Sequence, residues 1–214
     1  MKDIAIIDYG MGNLRSVQKA LEHVAPSARV AVTTDPDRIH RADSVVFPGQ
    51  GAISGCLAAL EEHGLGDVLL DAARTKPFLG ICLGLQALFE YSEEGGGTPG
   101  LGLLPGRVKL FPAEQMQDAG RSLKVPHMGW NQVQRTHTHP LWRDIAANAR
   151  FYFVHSYYVE CKEQRYIAGV TQYGVRFTSA AARENLFALQ CHPEKSQHAG
   201  LQLLRNFVSW DGTY

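Results

Sequence analysis

Cys82 lies in the stretch FLGICLGLQALFE, Phe78 to Glu90, between Gly80 and Gly84. Phe78 to Ile81 reads as a short buried strand, bounded by Pro77 in front and a glycine behind. From Leu83 the period changes: Leu85, Leu88 and Phe89 recur at helical spacing among good helix formers. Cys82 therefore sits at a strand-to-helix corner. The pattern G-x-C-x-G is the thiol counterpart of the serine nucleophile elbow, and small neighbours let such a corner turn sharply. A helix N-terminus favours the reactive thiolate, and the free N–H of Leu83 can bind an oxyanion. The competing reading of this pattern is a small buried hydrophobe, which most free cysteines are.

A nucleophilic thiol needs a base. Of nine histidines, His192 in QCHPEKS stands out. Pro193 pushes it into extended backbone, where residues i and i+2 share a face, so His192 and Glu194 project together and Cys191 points away. The carboxylate can fix the tautomer and leave the other ring nitrogen for the thiol. For an isolated H-P-E, a surface pair beside a proline turn is the better reading, and the other histidines are read that way, with His127 and His155 as partial exceptions.

A third segment, VVFPGQGA, Val45 to Ala52, is again a strand ending in a tight turn; Gly49 and Gly51 let the backbone approach a ligand and aim N–H groups at it. Neither this turn nor YGMGNLRS completes G-x-G-x-x-G, because Ser54 and Arg15 occupy the third glycine place, and the chain has no Gly-Lys dipeptide. A second oxyanion donor fits better than phosphate binding.

These segments need a scaffold. The first half alternates β-rich runs (Asp3 to Asp8, Arg29 to Thr33, Ser44 to Phe47, Phe78 to Ile81) with helical patterns: one after Asn13 as N-cap, and others near Ile53 to His63 and Gly66 to Thr75. That alternation means right-handed βαβ crossovers and a mostly parallel sheet. Glu93 to Gly106 reads as a glycine-rich loop. The second half is strand-rich, with a hairpin at Gly174 and a last helix from Gln197 to Ser209. The expectation is one domain over residues 1–214, α/β, with a mixed, mostly parallel central sheet flanked by helices, and in such sheets sites form at the carboxyl ends of the strands.

The 21 basic and 21 acidic residues give a formal net charge of zero, and no basic stripe appears, so nucleic acid is a poor partner. Asp8 cuts the first apolar run short of a signal peptide, and no stretch approaches a membrane span. Four cysteines without a C-x-x-C pair fit reduced thiols in the cytoplasm and no structural zinc; no metal and no cofactor are expected.

PGQG, GICLGLQ and HPE, in that order, resemble the class I glutamine amidotransferases, a flavodoxin-like α/β family, and the match runs over essentially the whole chain. Within that family IDYGMGNLRSV, TPGLGLLPGRV, PHMGWNQV and FVHSYYV are similar to the glutaminase subunits of imidazole glycerol phosphate synthases. Gln50 and Cys191 depart from the usual pattern, which has an apolar residue and a large aromatic there. The resemblance implies that Cys82 attacks the side-chain amide of L-glutamine, that His192 is base and then acid, and that Glu194 orients it. It implies an oxyanion hole from the N–H of Leu83 and the Gly49–Gln50 turn. Gln86, with the main chain of His155, Ser156 and Tyr157, would hold the amino-acid end of the substrate. Pro126 to Asn131 would be a loop that faces the partner and gates the site.

The resemblance further implies hydrolysis through a γ-glutamyl thioester. Ammonia would pass to a separate cyclase subunit, which makes imidazole glycerol phosphate and an aminoimidazole carboxamide ribotide from a phosphoribulosyl-formimino carboxamide nucleotide, in histidine synthesis. Low activity without the partner is the corresponding expectation. Rival readings are a glutaminase serving another synthase, a cysteine peptidase relative, and a non-catalytic binding relative; the close spacing of His192 and Glu194 speaks against the peptidase.

Overall fold

A computed structural model describes residues 1–118 and 120–213, with the backbone alone described at Arg121. The chain begins β1 (Asp3–Ile7), α1 (Leu14–Val24), β2 (Arg29–Thr33), α2 (Pro36–Arg41), β3 (Ser44–Gly49), α3 (Ile53–Glu62), α4 (Gly66–Thr75), β4 (Phe78–Cys82) and α5 (Leu83–Ala87). It continues through β5 (Phe89–Ser92), β6 (Thr98–Pro99), β7 (Leu104–Leu110), β8 (Gln117–Asp118), β9 (Arg121–Ser122), β10 (His127–Gln132) and β11 (Gln134–Arg135). The last elements are β12 (Arg150–His155), β13 (Tyr157–Cys161), β14 (Ile167–Tyr173), β15 (Val175–Arg183), β16 (Leu186–Leu189) and α6 (Gln197–Ser209).

The main sheet runs β2-β1-β3-β4-β16-β15-β13-β7-β5-β6, with β14 and β11 attached beside β15. From β2 to β16 every neighbour pair is parallel, and beyond β16 the strands turn mostly antiparallel. The sheet is thus mixed, as expected, and parallel where it carries the candidate site. Its central strands are apolar on both sides, as strands covered on both faces must be. Ile4, Ile6, Val46, Leu79 and Ile81 pack towards α1 and α6; Ala5, Ile7, Val45, Phe47 and Phe78 pack towards α3 and α4. Among the described residues no helix is long and apolar enough to cross a membrane.

Several expectations need correction. The helix after Cys82 stops at Ala87, and Leu88 and Phe89 do not continue it. The reason is competition for carbonyls: Leu101 N–H donates to Ala87, Leu104 to Leu88, and Gly102 to Phe89. The carbonyls a longer helix would need are thereby taken, and Phe89 pairs with Leu104 as a strand. The same contacts put β6 and the start of β7 inside the expected Glu93–Gly106 loop. Pro126 to Asn131 is not a loop either: His127 to Gln132 form β10, paired antiparallel with β12 outside the main sheet. Asn13 precedes α1, but its side chain accepts from the Ser16 hydroxyl (2.8 Å) rather than from a main-chain N–H. The sequence reading lacks α2, although Asp35 caps it by accepting from Asp37 N–H and Pro36 opens it.

Candidate active site

Cys82 ends β4 and begins α5 with φ 57° and ψ −109°, a conformation that costs a non-glycine residue on the order of 1–3 kcal/mol. The surroundings impose it. A Cβ on Gly80 would stand 2.9 Å from that of Ala188, and one on Gly84 would collide with the Phe47 carbonyl oxygen. The two glycines therefore let α5 press against β3 and β16, and the corner left between them is the elbow. Leu83, as the first residue of α5, has an N–H without an intrahelical acceptor.

β3 ends alongside, with Gly49 in register with Cys82. Tyr9, fully buried, donates its hydroxyl to the Pro48 carbonyl at 3.0 Å and so pins the strand as it enters the turn. A Cβ on Gly49 would meet Leu83 at 2.9 Å. Beyond it Gly51 takes φ 94°, a left-handed conformation that favours glycine.

His192 stands in extended backbone (φ −102°, ψ 96°), as Pro193 demands. Glu194 then lies in a 3-10 turn, Pro193–Lys195, and not in continued strand. It is this turn that brings Glu194 Oε1 to 2.8 Å from His192 Nδ1, with the two side chains 1% and 6% exposed. Cys191 points the other way, into the core beneath α6. His192 Nε2 is buried and makes no hydrogen bond of good geometry. Burial alone would lower this imidazole; the Cys82 sulfur and the Glu194 carboxylate outweigh it and push the pKa up to about 10. Burial instead holds the other cysteines as thiols: Cys56 is pushed up to about 11, Cys161 is raised and Cys191 is raised well above the ordinary value. Cys191, the alternative nucleophile, is thus held in its less reactive thiol form.

A cavity of about 360 Å³ opens beside the elbow. Cys82, Leu83, Gln86, His192, Gln50, His155, Ser156 and Tyr157 all border it, while Gly49 lies below in the strand. Two of these groups are already engaged. The Tyr157 carbonyl accepts from Gln86 Nε2 (3.0 Å) and from His155 Nδ1 (2.7 Å), so Tyr157 offers a ligand no free carbonyl lone pair. The Ser156 carbonyl accepts from Phe111 N–H.

Two residues of the site escaped the sequence reading, one lining the cavity and one fully buried beside Cys82. Glu94 is the one carboxylate among the described residues lining the cavity, anchored through Oε2 to Ile53 N–H (2.7 Å). Its signal is EEGGG, a carboxylate pair before a glycine turn, within a segment that reads as loop. The other is Gln190, the first residue of QCHPEKS; the parallel register of Leu189 with Ile81 sets it beside Cys82.

Residues 5–210 match the family model described as glutamine amidotransferase class-I. The chain is 59% identical over 211 residues to the imidazole glycerol phosphate synthase subunit HisH of Aromatoleum aromaticum, with 98% of this chain and 99% of the relative covered. The protein of the same name from Nitrosospira multiformis is 60% identical over 211 residues, again covering 98% and 99%. Among solved structures, PurLQS from Thermotoga maritima superposes with a TM-score of 0.72 at 17% identity, covering 97% of this chain and 98% of that one. The glutaminase domain of Trypanosoma brucei CTPS gives 0.61 at 16%, covering 99% and 95%. At such identities these two speak for the fold. With its elbow cysteine, its buried His–Glu pair and a family match over nearly all its length, the chain belongs to the class-I glutamine amidotransferases.

Proposed function

We propose that this chain is the glutaminase subunit of an imidazole glycerol phosphate synthase, hydrolysing L-glutamine and delivering ammonia to a cyclase subunit in histidine biosynthesis. The observation that carries the reading is the thiol on an elbow facing a buried imidazole held by a carboxylate, in a chain about 60% identical to proteins named HisH.

Cys82 thiolate attacks the side-chain amide carbon of glutamine, and the carbonyl electrons move onto oxygen. The Leu83 N–H, with the Gly49–Gln50 turn, receives that oxyanion. His192, charged and steadied by Glu194, gives its proton to the departing nitrogen; the C–N bond breaks and ammonia leaves a γ-glutamyl thioester. Water then attacks the thioester while His192 takes its proton. The C–S bond breaks, the thiolate is restored and glutamate is released. Gln86 borders the amino-acid end of the pocket, and Glu94 supplies the negative charge that an α-ammonium group needs there. The His155–Tyr157 segment forms the wall opposite.

The partner side is marked by exposed apolar side chains. β10 presents Met128, 63% exposed, and Trp130, 37% exposed, with Val125 just before it, and Pro126 between them lines the cavity. Apolar side chains in water beside a reactive pocket suit a docked subunit that covers both.

The experiment is glutamate release from L-glutamine by the purified chain alone, then with the cyclase and its nucleotide substrate, beside a Cys82→Ser control. Strong stimulation by the partner is expected, with the substitution removing about 10³-fold or more of the activity. Equal turnover with and without partner, or an active Cys82→Ser protein, would overturn the reading.

A further inference from the structure

Gln190 is fully buried, and its side chain bridges two groups of the pocket. Its Oε1 accepts from Gln86 Nε2 at 2.9 Å, and its Nε2 lies 3.7 Å from Cys82 Sγ in donor geometry. Which end of an amide is which is ordinarily an assignment, but here the network decides it. The Tyr157 carbonyl can only accept, so the nitrogen of Gln86 faces it. The second hydrogen on that nitrogen points at Gln190, which must answer with its oxygen. The nitrogen of Gln190 is then left for the sulfur.

The hydrogen-bond chain continues outward from Tyr157. His155 must donate through Nδ1 to that carbonyl, so its Nε2 accepts from His127 Nδ1 (2.9 Å). His127 Nε2 in turn accepts from Asn131 Nδ2 (3.3 Å). Both lone pairs of the Tyr157 carbonyl are thereby used, and the polarity of the whole chain is set without a free choice at any link.

We propose that Gln190 is a positioning residue for the nucleophile: its amide N–H, locked by Gln86 and the Tyr157 carbonyl, holds the Cys82 thiolate in its attacking rotamer. The role rests on the glutaminase reading for its use but not for its physics. A hydrogen bond to an anion is stronger than one to a neutral group, so the donor favours the thiolate over the thiol. It also restrains a side chain whose backbone is already strained. The titratable groups around the sulfur are His192, Cys191 and Tyr9. Cys191 is a buried thiol, and burial raises the Tyr9 phenol well above its ordinary value. His192 and Gln190 therefore carry the local control of the thiolate.

Two near-isosteric variants test this. Gln190→Glu keeps the acceptor for Gln86 and puts a carboxylate where the donor was. Gln190→Met removes both functions with little change of shape. The probe is iodoacetamide, with modification at Cys82 followed by mass spectrometry from pH 5 to 10, alongside glutaminase kinetics of the complex with the cyclase. Expected in Gln190→Met is about a tenfold slower alkylation at pH 7, an alkylation midpoint moved upward by about one pH unit, and a kcat lowered about tenfold with KM nearly unchanged. Gln190→Glu shifts both further, through the like charge. A Gln190→Met protein with the wild-type alkylation profile would overturn the proposal. So would a variant whose loss lay in KM alone, because that would place its effect on Gln86 and the substrate. The two readings fail separately: a wild-type complex without glutaminase activity whose Cys82 alkylation still depends on Gln190 would overturn the function and support the positioning role.

Discussion

His192 and His155 border the same cavity, both are buried, and their protons are driven in opposite directions. His192 faces a carboxylate on one side and a sulfur on the other, and its pKa rises to about 10. His155 faces a carbonyl and a second histidine. Burial lowers it to about 3 in spite of the Tyr157 hydrogen bond, and lowers His127 to about 4. Burial acts the same way on both sides; the sign is decided by whether an anion stands within hydrogen-bonding reach. One wall of the pocket is thus built to hold a proton. The other is built of neutral dipoles whose order depends on no proton arriving.

Breaking the charged side should cost most. His192→Ala removes the group that serves as acid and base in the proposed reaction and should lower glutamate release by about 10³- to 10⁴-fold, measured in the cyclase complex. Glu194→Gln keeps the shape and removes the anion. Activity should fall on the order of 10²-fold, and the His192 ring, followed by NMR titration, should move from about 10 towards its ordinary 6.5. An unmoved titration would show that the carboxylate does not set the sign.

Breaking the neutral side should touch stability more than chemistry. His155→Phe leaves His127 Nδ1 without its acceptor and halves the donors on the Tyr157 carbonyl, at a cost of about 1–3 kcal/mol by chemical denaturation. Glutaminase kcat should change far less than in Glu194→Gln.

The smallest effect sharpens the contrast through pH. A histidine held below its unfolded pKa is protonated first in the unfolded chain. The contribution of His127 and His155 is therefore whole above about 6.5 and drains away as pH falls towards 4 and then 3. His192 is the reverse: its contribution is whole below 6.5 and is lost as pH climbs towards 10. Thermal melts should accordingly decline on both flanks. His192→Ala should flatten the alkaline flank and His155→Phe the acid one, each by a few °C in Tm. A variant that flattened the wrong flank would refute the assignment.

How much of this was legible in advance differs between the same two walls. The elbow and the His–Glu pair could be read because each is local: glycines two residues either side of Cys82, a proline after His192, and a carboxylate two residues on. Even there the mechanism of approach was not extended backbone but the 3-10 turn at Pro193–Lys195. The opposite wall was barely legible. His127 and His155 are 28 positions apart and meet because β10 pairs with β12 in register. Gln86 and Gln190 are 104 positions apart and meet across the parallel pairing of β4 with β16. Helical periodicity overran at Leu88 and Phe89, because the carbonyls of Ala87, Leu88 and Phe89 are claimed by a segment that no local pattern connects to them.

The sequence by itself determined what the chain could strain and what it could cap: where a strand must turn sharply, which thiol the turn presents, and which imidazole has a carboxylate within two residues. Those are short-range steric and chemical facts, settled by bond geometry and side-chain reach. The tertiary structure alone decided which protons are held and which excluded. That depends on burial and on partners brought from distant strands, and both come into being only when the sheet has paired.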